Sequence, residues 1–143
     1  MITGLQHLHS FLPYILLTAL LVASIRFLAK AKNAPFTATD KRVALITLIL
    51  THIQLLVGLA LYFVGPRGFV YTSVEGFMKD SVMRLYAVEH ILVMLIAVTL
   101  ITIGYSRAKR AANDQKKFRS LGIFYGLGLI LALSRIPWDA WLA

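Results

Sequence analysis

Four long apolar runs separated by short polar segments dominate the pattern of this chain. About 20 apolar residues rising ~1.5 Å each cross a ~30 Å hydrocarbon layer. The pattern predicts helices over residues 10–31, 41–64, 81–110 and 116–133. Pro13 suits the first turn of a helix starting near Ser10; an earlier start would put it inside the helix. Pro35 ends the first run, and Thr39 or Asp40 is the expected N-cap of the second. Gly65-Pro66 stops the second helix. The connection from Gly65 to about Ser81 is the longest. Its Phe69, Val70, Tyr71, Val74, Phe77 and Met78 suit a segment folded over the outer mouth of a bundle or lying in an interface. Short connections make consecutive helices antiparallel neighbours. The expected fold class is therefore all-α: an integral-membrane, up-down-up-down four-helix bundle, one domain over residues 1–143. Helices 1 and 3 would lie on a diagonal. Gly122 with Gly126, and Gly128 with Ala132, give helix 4 small faces for close approach by a helix or a flat cofactor.

Composition agrees with this pattern: 59% of residues are hydrophobic and the mean hydropathy is +0.76. The net charge of +9 would suit nucleic acid, but its distribution argues against that partner. Eleven of the fifteen basic residues flank the first and third connections: Arg26, Lys30, Lys32, Lys41, Arg42, Arg107, Lys109, Arg110, Lys116, Lys117 and Arg119. The positive-inside rule then puts those connections in the cytoplasm and both termini outside it. The first run lacks a basic lead and a clear cleavage site, so it reads as a retained helix rather than a signal peptide. Cysteine is absent, which removes disulfides and thiolate sites. There is no P-loop and no dinucleotide-binding glycine fingerprint. Trp138 and Trp141 suit interface anchors.

The candidate chemistry is in the histidines. His90 and Glu89 fall inside the third run, where ionisable groups are costly and usually face a bundle interior or a ligand. His9 precedes Arg26 by 17 residues (26 − 9), and His90 precedes Arg107 by 17 (107 − 90). On regular helices the two stand at one height, roughly 25 Å above the inner charges. Two imidazoles at matched height on diagonal helices suit a b-type haem, with His90 the first candidate ligand and His9 its partner by depth. His52, about 15 Å above Arg42, is the deeper alternative. Arg84 and Arg135 could hold haem propionates. Glu89 could pair with Arg135 or carry protons beside a quinone. Each also has a structural reading: the histidines as hydrogen-bonded packing residues, the arginines as snorkelling side chains, Glu89 as an ion-pair member.

The stretch Thr51-His52-Ile53-Gln54-Leu55-Leu56-Val57-Gly58, with Glu89-His90 and His9-Ser10, resembles small bacterial membrane cytochromes b. It is also similar to one four-helix half of a haem A synthase. The resemblance implies a bacterial inner-membrane bundle that holds haem b through histidines near its outer face. Such a protein exchanges electrons with quinone or a respiratory partner. No histidine is present on helix 4, so a ligand pair does not carry across directly. Competing readings are a non-catalytic membrane subunit or assembly factor that docks through the apolar outer loop, and a small ion-, proton- or metal-handling membrane protein. Enzymatic activity, as a membrane oxidoreductase, remains an open expectation.

Overall fold

The computed structural model describes residues 1–142 and is all-helical there. Its long helices are α1 (Ile2–Lys30), α2 (Ala38–Val64), α3 (Ser81–Lys109) and α4 (Asp114–Ser134), and each is long and apolar enough to cross a membrane. A single turn, α5 (Trp138–Trp141), follows. Consecutive long helices pack as neighbours and α4 closes the ring against α1, which leaves α1 and α3 on a diagonal, as expected.

Three boundaries differ from the pattern-based expectation. α1 starts at Ile2 rather than Ser10, so Pro13 lies inside it. α2 is capped by Thr37, not by Thr39 or Asp40. The Thr37 side chain accepts from the Asp40 amide, and the Asp40 carboxylate accepts from the Thr37 amide at 2.9 Å. α3 is interrupted by a π-helical turn over Leu85–Glu89, in which the His90 amide reaches back to the Leu85 carbonyl. The outer connection carries two 3-10 turns, Phe69–Ser73 and Phe77–Lys79.

The two ends of the bundle are built differently. Towards the basic end the core is tight and aromatic, with Phe27, Phe118 and Tyr125 fully buried and ring centroids 6.1–6.2 Å apart. The Tyr125 hydroxyl donates to the Ala44 carbonyl at 2.7 Å, joining α4 to α2 across the bundle. Asp40, also fully buried, accepts from Arg26 at 2.8 Å and from Lys30 at 2.7 Å, locking the α1–α2 hairpin. Small residues set the helix spacing. A Cβ on Gly122 would collide with Leu28 of α1, and one on Gly128 would stand 2.5 Å from Ile101 of α3. Gly126 faces open space, so the expected Gly122–Gly126 face is not one contact surface.

The outside of the bundle is apolar. Leu56, Ile130 and Ile25 are 65%, 64% and 61% exposed, and large aliphatic side chains are exposed on all four long helices. Contiguous apolar surface on this scale needs a cover. Four membrane-length helices with apolar outer faces are compatible with a multi-pass membrane protein.

Candidate functional site

Towards the other end the bundle opens into a cavity of about 460 Å³, bounded by α1, α2, α3 and the C-terminal turn. Its size lies within the range of small-molecule and cofactor sites, ~300–1,000 Å³. His9 and His90 both line it, and their ring centroids are 6.2 Å apart with planes at 89°. The equal heights expected from the matched 17-residue intervals are what this separation requires.

Each imidazole is held through Nδ1. His90 Nδ1 lies 2.8 Å from the Arg135 carbonyl. A carbonyl only accepts, so Nδ1 carries the proton and Nε2 keeps its lone pair. His9 is tied to Gln54 of α2, whose Nε2 lies 3.0 Å from His9 Nδ1 and donates to the His9 carbonyl at 2.9 Å. Pro13 has no amide hydrogen to offer that carbonyl, four residues back along α1, and Gln54 supplies the missing donor. The Ser10 carbonyl accepts from the Trp141 indole at 2.7 Å. Neither His9 Nε2 nor His90 Nε2 has a hydrogen-bond partner among the described residues. Gly58 faces the His9 ring; a Cβ there would come within 2.9 Å of Cε1. The Gln54 side-chain oxygen is buried and has no partner among the described residues. Such an orphan at a cavity wall calls for a donor.

The π turn explains the placement of Glu89. On a regular α-helix, residues five apart point about 140° away from each other. The wider turn brings Arg84 Nε to 2.7 Å from Glu89 Oε2, while Arg135 Nε lies 3.4 Å from Oε1. Arg135 thus serves twice, its side chain beside Glu89 and its carbonyl on His90. The Ala87 carbonyl, within the turn, accepts the Tyr62 hydroxyl at 2.7 Å.

Other candidates fall elsewhere. The structure does not bring His52 to His90: its Nδ1 lies 2.9 Å from the Leu48 carbonyl and its Nε2 3.3 Å from the Thr102 hydroxyl. Thr102 is twelve residues beyond His90, about 18 Å along α3. Arg84 and Arg135 do not line the cavity; both are engaged by Glu89. The cavity-lining cation is Arg67, which the sequence reading did not single out. Arg67 follows Gly65-Pro66 and precedes Gly68, whose φ of +98° favours glycine. Its guanidinium donates to the Tyr86 hydroxyl at 3.1 Å and lies 5.1 Å from the centre of that ring. The sequence signal was a basic residue embedded in the turn that ends a membrane-length helix.

The spacing of the two histidines fits a shared metal. A ring nitrogen lies ~1.1 Å from its centroid and ~2.0 Å from a bound metal, which sets collinear ligand rings roughly 6.2 Å apart. An ordinary edge-to-face pair covers the same range, ~4.5–7 Å. What separates the two cases is that neither Nε2 has a hydrogen-bond partner among the described residues, together with the open volume and the glycine facing His9. His90 Nε2 has a free lone pair, and His9 Nε2 carries the ring proton because Nδ1 accepts from Gln54. No group of three or more His, Asp or Glu side chains suited to an ion occurs among the described residues. Two nitrogens alone serve a metal that brings its other ligands with it, as haem iron does. No family model, no curated protein and no solved structure matches this chain.

Proposed function

We propose that this chain is a multi-pass protein of a bacterial inner membrane that binds haem b between His9 and His90 and transfers electrons. The observation that carries the reading is the His9–His90 pair, 6.2 Å apart at the wall of a 460 Å³ cavity, with both Nε2 atoms unengaged. Membrane placement rests on the four apolar helices and their exposed aliphatic faces, and the orientation on the basic end lying in the cytoplasm. The histidine pair then lies near the outer face.

The residues divide the work. His90 presents Nε2 because the Arg135 carbonyl holds the proton on Nδ1. His9 would become a ligand when its own proton moves to Nδ1, a step that gives up the Gln54 contact there while the amide keeps its donation to the His9 carbonyl. Gly58 leaves clearance beside His9. Arg67 at the mouth is the cation placed to meet a carboxylate, in place of the Arg84 and Arg135 expected from sequence. Haem held by two histidines supplies a one-electron couple without an open coordination position, which favours electron transfer over oxygen chemistry. A quinone or a respiratory subunit is the fitting partner at the outer end.

The test is an optical spectrum of the solubilised protein, oxidised and then dithionite-reduced. A reducible b-type spectrum, lost in His90→Ala and in His9→Ala, is expected. A colourless wild type, or unchanged haem content in both variants, overturns the reading. A second reading, a non-catalytic subunit, draws on Phe69, Val70 and Met78, which are exposed on the outer connection. A colourless protein that co-purifies with one membrane complex would favour it.

A further inference from the structure

At the basic end a second cavity, about 270 Å³, opens between the first turns of α2 and α4 and the last turn of α3. Three lysines line it, Lys41, Lys109 and Lys117, one from each helix. None of them has a carboxylate within 4 Å among the described residues. Elsewhere the chain supplies its own anions: Asp40 holds Arg26 and Lys30, and Glu89 holds Arg84 and Arg135. Here the nearby carboxylate, Asp114, accepts the Phe36 amide at 3.0 Å. The remaining wall is apolar, formed by Ala44, Ala108 and Leu121 with the rings of Phe36 and Tyr105. Lys117 Nζ lies 5.4 Å from the centre of the Phe36 ring.

We infer that this cavity binds a phosphate-bearing anion, the headgroup of an anionic phospholipid of the inner leaflet. Three lysines from three helices border one concavity with no carboxylate in ion-pair contact, a local excess of positive charge that an outside anion would offset. The start of α2 borders the same space through Thr37 and Ala38, its terminal amides already capped by Thr37 and Asp40. Basic pockets between spanning helices on the cytoplasmic side suit lipid headgroups, and the apolar wall suits the glycerol and first methylenes. The inference rests on the membrane placement proposed above and not on haem.

The experiment is native mass spectrometry of the delipidated full chain in detergent with added phosphatidylglycerol, phosphatidylcholine or sodium phosphate. The haem band is read on the same samples, so loss of lipid and loss of haem are separable. One phosphatidylglycerol should be retained in preference to phosphatidylcholine. Each of K41Q, K109Q and K117Q should weaken retention about fivefold. The R110Q/K116Q/R119Q variant, which removes three positive charges outside the cavity against one in each cavity variant, should still retain the lipid. Sodium phosphate that raises the melting temperature of the wild type but not of K117Q, and displaces the lipid, identifies free phosphate as the source of the anion. Lipid retained against phosphate identifies the headgroup. Equal losses in the cavity and control variants, or no loss in any cavity variant, overturn the site.

Discussion

Gln54 donates to the His9 carbonyl at 2.9 Å, the carbonyl that Pro13 leaves without a helical donor. A proline that would ordinarily weaken a helix interior thus gives α2 a hold on the backbone of a candidate ligand. Gln54→Leu removes this donor and the contact at Nδ1 together. Haem affinity, read by titrating haem into the apoprotein, should fall about 10–100-fold, the range seen for groups that support a metal ligand. Unchanged affinity would show that His9 does not depend on Gln54.

His52 offers the contrasting case. Both of its ring nitrogens lie against the chain's own oxygens, and it does not line the cavity that holds His9 and His90. His52→Ala should keep the full b-type spectrum and lower stability by about 1 kcal/mol, the value of a modest side-chain hydrogen bond. Loss of the spectrum in a variant that remains folded would move the site to α2.

Glu89 stands between two guanidiniums and next to His90. Glu89→Gln removes one negative charge while leaving the Arg135 carbonyl on His90. A redox titration should show a higher midpoint potential, because the positive surroundings then disfavour the oxidised, more cationic iron. An unmoved potential would confine Glu89 to helix packing.

At the opposite end, Asp40 is fully buried and joins Arg26, Lys30 and the α2 N-terminus. Asp40→Asn leaves the two cations without their counter-charge and should cost about 2–4 kcal/mol in a reversible denaturation assay. Tyr125→Phe, which removes only the hydroxyl that reaches Ala44, should cost about 1 kcal/mol. A ratio near one between the two losses would contradict the hairpin lock.

The four helices were legible because apolar runs of membrane length, bounded by Pro35, Gly65-Pro66 and charge clusters, leave few alternatives. The His9–His90 juxtaposition was legible from their matched distances to Arg26 and Arg107. The start of α1 was not, because Pro13 reads as a beginning when its lost hydrogen bond is made good by a residue 41 positions later (54 − 13). The π turn left no compositional mark: Leu85–Glu89 contains ordinary helix-compatible residues, and the insertion shows in the structure through the His90 amide on the Leu85 carbonyl and Arg84 meeting Glu89. Arg67 was missed because its position depends on how the Gly65–Gly68 turn folds back over the cavity, which no local pattern reveals.

The buried cluster of Phe27, Phe118 and Tyr125 fills the core between the histidine cavity and the basic end. From His90 to Lys109 the path down α3 is about 28 Å. If the cavity takes a ligand, as proposed, that ligand would come and go at the end bordered by Trp141 and Arg67, because the buried aromatic cluster lies beneath it.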